Sequence, residues 1–116
     1  MIIAIDFDGT IHSGVYPSIG FLRTHAKEVI NNLKENGHYI IIWTCRTGDD
    51  LLDAINFLLE KEILFDRIND NCPDNKAMYG GNTRKIYADY YIDDKQIGTL
   101  PAWRDIETYI NTTNNY

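Results

Sequence analysis

Two short acidic runs carry the residues that could do chemistry: Asp6-Phe7-Asp8-Gly9-Thr10 near the start, and Ile92-Asp93-Asp94-Lys95 near the end. Each follows an apolar, β-branched stretch, so each reads as the tip of a strand. Alternate residues of a strand share a side, which would aim Asp6 and Asp8 at one site. Asp93 and Asp94 would reach the same edge of a parallel sheet. Four carboxylates converging without a counter-charge would repel one another. A cation resolves this, and an all-oxygen donor set suits Mg²⁺. The expected ligands are therefore Asp6, Asp8, Asp93 and Asp94. A lone Asp-x-Asp is often only a cap or a turn. Capping does not explain both runs at the ends of two apolar strands, with Thr44 ending a third.

The elements that must position these residues alternate between strand and helix. Ile2 to Phe7 reads as a buried strand, and residues 8–20 as a loop rich in Gly, Ser and Pro. A helix is expected from Phe21 to Asn36, with Phe21, His25, Val29 and Leu33 on one face and Gly37 as its stop. His38 to Trp43 is a second strand, followed by the loop Thr44 to Gly48. Asp49 and Asp50 suit the start of a second helix, with Leu52, Ile55 and Leu59 as its apolar stripe. Ile63 to Ile68 is a weaker strand, Asn69 to Arg84 a loop, and Ile86 to Ile92 a fourth strand. Pro101 opens a last helix with Trp103, Ile106 and Ile110 inward, and Asn111 to Tyr116 is a polar tail expected to fray. Residues 1–110 thus form one domain. The fold class is α/β, a three-layer Rossmann-like arrangement with a mostly parallel sheet covered on both faces. In such sheets ligands gather at the carboxyl ends of the strands.

The order DFDGT, a strand ending in Thr44, a lysine, then YYIDD resembles the haloacid dehalogenase superfamily of phosphotransferases. WTCR and KIYADYYIDDK are most similar to its small capless phosphatases of bacteria and phages, and the likeness runs from Ile2 to about Lys95. It implies Asp6 as the nucleophile on phosphorus and Asp8 as the general acid, then base, with the Asp8 backbone carbonyl on Mg²⁺. It also implies Thr44 on a phosphoryl oxygen, and Asp94 as the metal-ligating acid supported by Asp93. Such a division needs environments that push the two carboxyl pKa values apart. Lys85, eight residues before Asp93, is the favoured active-site lysine, although Ile86 stands where relatives often carry proline; Lys76 is its rival. Gly9, Thr10, Arg46 and Asn69 are candidate substrate contacts. Arg46 could instead pair with Asp49 or Asp50, and Asn69 and Asn71 could instead shape a turn. His12 could reach the mouth of the site, His25 should pack on its helix, and Cys45 reads as a small packing residue. With little chain between the motifs, no cap domain fits and the site should be open.

Bulk properties set limits. The chain has 116 residues, 44% hydrophobic, enough for one core. A formal charge of -6 argues against broad nucleic-acid binding and means that an anionic substrate needs local cations or a metal. Two cysteines outside any Cys-x-x-Cys pair suit reduced thiols in the cytoplasm, and the first apolar run is too short for a membrane span or a signal sequence. The expected partner is a phosphorylated small molecule or macromolecular end, with a homo-oligomer as one way to cover the open site. Three rivals remain: a phosphotransferase or mutase using the same Asp6; a receiver-like signalling module, in which the phosphoacceptor would end the third strand; and a degenerate protein that binds Mg²⁺ without hydrolysing any phosphoester.

Overall fold

The computed structural model describes residues 1–113. The element order is β1 (Ile2–Ile5), α1 (Ala26–Glu35), β2 (Tyr39–Ile42), α2 (Gly48–Glu60), β3 (Arg67–Ile68), α3 (Pro73–Tyr79), β4 (Tyr90–Ile92) and α4 (Trp103–Thr113). The strands form one sheet in the order β3-β2-β1-β4, parallel throughout. The chain therefore winds outward from β1 through β2 to β3, then crosses back to place β4 on the other side of β1. The winding reverses between β1 and β4, and a crevice opens at the carboxyl ends of such a pair.

Register explains the core. Ile3, Ile40 and Tyr90 lie side by side across three strands, as do Ile5, Ile42 and Ile92 one step further on. This face joins Val29, Ile30 and Leu33 of α1, Ala54 and Leu58 of α2, and Ile106 and Ile110 of α4 in one buried cluster. The alternate residues Ala4 and Ile41 are also buried, on the opposite face. On that face the Tyr91 hydroxyl donates to the Ile86 carbonyl and accepts the Ala88 N–H, drawing the segment before β4 against the sheet.

Several boundaries differ from those expected. Helix α1 starts at Ala26, because residues 11–23 fold back on themselves: Ser13 N–H donates to Phe21 O and Arg23 N–H to Ile11 O. Phe21 is consequently 89% exposed, and His25 is an exposed residue with φ 67 ahead of the helix, not a packed helical one. In α2 the buried residues are Ala54 and Leu58, while Leu52 and Leu59 face solvent. Apolar residues crowd more than one side of that helix, so spacing alone selects the wrong stripe.

The edge strands are shortened by one device used twice. Asp66 and Asp89 each accept, through the side chain, a backbone N–H of the neighbouring strand, Ile40 and Ile2 respectively. Each also donates its own N–H to the carbonyl of that same residue, so regular pairing begins one residue later. The expected loop 69–84 contains α3, which has Pro73 in its first turn and left-handed Gly80 at its end, but no buried residue and hence no apolar periodicity. Helix α4 runs on to Thr113, so Asn111 to Thr113 are helical and only residues 114–116 of the expected tail lie outside the described residues. Among the described residues, no helix is long and apolar enough to cross a membrane.

Candidate metal centre and its cavity

The tips of β1 and β4 are neighbours: Asp6 N–H continues the ladder to the Ile92 carbonyl at 2.9 Å. Just beyond, one carboxylate oxygen from each of Asp6, Asp93 and Asp94 lies within 4.8 Å of the others. All three side chains are half-buried, and together they can hold a divalent cation. Burial is the main force pushing the Asp6 carboxyl up to about 7; the charge of Asp93 and a hydrogen bond with Asp94 add to it, while Thr10 works against it.

The chain leaves the sheet at Ile5 and closes a tight turn, with Ile11 N–H donating to Phe7 O at 3.0 Å. Gly9 sits in the turn with φ 79, and a Cβ there would collide with the Asp94 carboxylate. The turn returns Thr10 beneath the acids. Its hydroxyl lies 3.1 Å from both Asp6 Oδ2 and Asp94 Oδ1 and accepts the Asp94 N–H at 3.0 Å. With one proton to give, it serves one acid at a time. The Thr10 carbonyl accepts the Trp103 indole N–H. Thr10, expected as a substrate contact, is fully buried, and its hydroxyl is turned to Asp6 and Asp94.

Asp8 does not join the three. Because the strand ends before it, the expected alternation fails, and its carboxylate turns to Arg46 and His12. Arg46 Nε and Nη2 donate to the two Asp8 oxygens at 2.8 and 2.7 Å, and His12 Nε2 donates to Oδ1 at 2.9 Å. Burial raises the Asp8 carboxyl, but the Arg46 and His12 hydrogen bonds and charges together outweigh it and leave it below the usual range. His12 Nδ1 accepts the N–H groups of Gly14 and Gly20, which places its proton on Nε2 toward Asp8. Buried His12 thus ties Asp8 to the base of the 13–20 loop.

Arg46 is the hub of this wall. It is 1% exposed, lies between the rings of Phe7 and Tyr16 at 5.3 and 5.0 Å from their centres, and also donates to Pro17 O and Asp50 O. Its partner is therefore Asp8 and not the Asp49 or Asp50 carboxylate. The Tyr16 hydroxyl takes that Asp50 carboxylate at 2.6 Å and pins the loop to α2.

The acids open into a cavity of about 660 Å³ that is also lined by Gly14, Val15, Tyr16, Cys45 and Lys95. Cys45 is exposed, not a packing residue; Cys72 is buried, and both thiols are free. Thr44 is buried at the tip of β2, its hydroxyl oxygen accepting the Arg46 N–H. Asn69 binds both backbone groups of Thr44, at 2.8 Å each, and Asn71 binds Tyr87 N–H, Asn82 and Thr83, so both asparagines shape loops. The two candidate lysines stand apart from the cavity walls: Lys85 lies over the Tyr91 ring and Lys76 pairs with Asp70. Lys95, directly after Asp93-Asp94, was not among the expected site residues, yet it lines the cavity. The His12–Asp8 contact was legible too, from a four-residue spacing in a loop that must turn sharply.

No family model and no curated protein matches this chain. It is similar to a solved structure described as that of a conserved protein coded by a locus from Bacteroides thetaiotaomicron, with a TM-score of 0.88 and 35% sequence identity, covering 99% of this chain and 93% of that one. Likeness at that identity over nearly both full lengths means that the chain belongs to the family of this conserved Bacteroides protein.

Proposed function

We propose that this protein is a Mg²⁺-dependent phosphomonoester hydrolase, a capless member of the haloacid dehalogenase superfamily that forms an aspartyl phosphate on Asp6. The observation that carries this is the meeting of Asp6, Asp93 and Asp94 at the crevice between β1 and β4, beside an open cavity. The donor set is all oxygen, half-exposed and rich in negative charge, which fits a hard cation that keeps some of its waters. Bound there, with the Asp8 carbonyl as a further ligand, Mg²⁺ would keep Asp6 ionised and offset charge on the phosphoryl oxygens.

The chain's own groups do the rest. An Asp6 carboxylate oxygen attacks phosphorus and the ester oxygen departs, splitting one difficult displacement into two. Asp8 gives that oxygen a proton, then takes one from the water that cleaves the acyl phosphate. To carry a proton Asp8 must first part from Arg46, since the ion pair favours its charged form. The Thr44 hydroxyl keeps its proton free to donate to a phosphoryl oxygen, because in the structure it only accepts. The open cavity suits a phosphorylated small molecule or the end of a larger one.

Transfer to an acceptor other than water would use the same Asp6. Topology disfavours the receiver-like alternative: β3 is an edge strand, Asn69 at its tip is occupied with Thr44, and Asp70 pairs with Lys76. The test is hydrolysis of p-nitrophenyl phosphate with Mg²⁺. Activity is expected, with loss in excess chelator and in Asp6→Asn. Turnover that survives either change would overturn the proposal.

A further inference from the structure

A phosphoryl group entering this cavity meets Asp6, Asp8, Asp93 and Asp94 in a chain of net charge -6. A metal alone leaves that balance negative, so a protein cation should face the substrate. Arg46 cannot serve as it stands. Four of its N–H groups are committed to Asp8, Pro17 O and Asp50 O, and its guanidinium is enclosed by two rings. Lys85 and Lys76 are engaged elsewhere, at Tyr91 and Asp70.

Lys95 is different. It lines the cavity, its side chain is exposed, and no ion pair holds its ammonium among the described residues. Its backbone N–H donates to Asp93 Oδ1 at 2.9 Å, which anchors the root of the side chain to the acid cluster while leaving the end free. We propose that Lys95 is the phosphate-binding cation of this site, its ammonium donating to the non-bridging oxygens of a phosphomonoester dianion. This rests on the phosphatase proposal for its substrate class, but the binding it asserts can be measured without turnover.

Cys45 supplies the measurement, because it is exposed in the same cavity while Cys72 is buried and serves as the internal reference. With Mg²⁺ present, inorganic phosphate should slow alkylation of Cys45 by iodoacetamide. Lys95→Met should weaken that protection about tenfold in phosphate concentration, Lys95→Arg should retain most of it, and Lys85→Met and Lys76→Met should stay within about twofold of the parent, as expected for loss of one charge-assisted contact. Steady-state p-nitrophenyl phosphate hydrolysis should show the same order in KM. If phosphate protects Cys45 through Lys95 but the parent protein hydrolyses nothing, the phosphatase proposal fails and this one stands. If phosphate gives no protection, if Lys95→Met binds phosphate like the parent, or if Lys85→Met or Lys76→Met carries the loss, Lys95 is not the phosphate cation.

Discussion

Replacing Arg46 by Met separates the two things that residue does. The methionine stem still fills the space between Phe7 and Tyr16, while the charge and four hydrogen bonds disappear. Removing one partner of a buried ion pair costs about 3–5 kcal/mol. The Asp8 side chain is 25% exposed and keeps His12, so the loss should fall near the low end, about 3 kcal/mol. For a chain of this size that is a fall in Tm of roughly 10–15 °C. Asp8→Asn should cost about 2 kcal/mol, since the amide can still accept one Arg46 bond but leaves the guanidinium without its counter-charge. The double variant should then lose less than the sum, by at least about 1 kcal/mol, because neither charge is left alone. Thermal melts of the four proteins in chelator complete the cycle without any involvement of metal or substrate. A melt of Arg46→Met within a few degrees of the parent, or strict additivity, would refute the claim that this pair holds the wall of the cavity together.

Two further outcomes follow from the turn and the acids. Asp6 is pushed from an ordinary 3.8 to about 7, so its contribution to stability is full below about pH 4 and is lost as pH rises through about 7. Undamped, that linkage is about 4 kcal/mol; screening of a half-buried group leaves about 2 kcal/mol. The metal-free protein should accordingly melt lower at pH 8 than at pH 5, and Asp6→Asn should flatten the difference; a parallel slope in both proteins would contradict it. Gly9→Ala combines a left-handed backbone with a collision at Asp94, expected to cost about 2–4 kcal/mol. It should also shrink the rise in Tm that Mg²⁺ gives the parent, and an undiminished rise would show that Asp94 does not need this turn.

The apolar strands and the alternation of elements were legible because β-branched runs such as Ile2–Ile5 and Tyr39–Ile42 have few other uses. The meeting of Asp6 with Asp93 and Asp94 was legible for the same reason, since parallel strands deliver their tips to one edge. What the sequence could not show was where pairing starts and stops. Asp66 and Asp89 look like ordinary strand residues, yet each takes over a ladder bond with its side chain. The turn after Ile5 was equally hidden. Phe7 continues the apolar pattern of the strand while already belonging to the turn, so the Asp8 side chain, expected beside Asp6, faces Arg46 and His12. Lys85 was chosen by its distance from Asp93 along the chain, which says nothing about the Tyr91 ring that it covers.

One turn gives two carboxylates opposite characters. Asp6 faces Asp93 and Asp94 and is held toward its neutral form; Asp8, two residues on, faces Arg46 and His12 and is held ionised. Hydrolysis through Asp6 needs the reverse, an ionised nucleophile and a protonated acid. Under the proposed hydrolysis the structure would correspond to a resting arrangement, and both inversions would have physical routes within it. Positive charge beside Asp6 lowers its pKa, and withdrawal of Arg46 removes the main force that keeps Asp8 charged. The second route runs through the 13–20 loop, because Pro17 O and the Tyr16 ring hold Arg46 in place while Gly14 and Gly20 hold His12. A substrate that shifts Val15 and Tyr16 on entering the cavity would loosen the groups that restrain Asp8, so the acid would become available only when an ester is there to receive its proton.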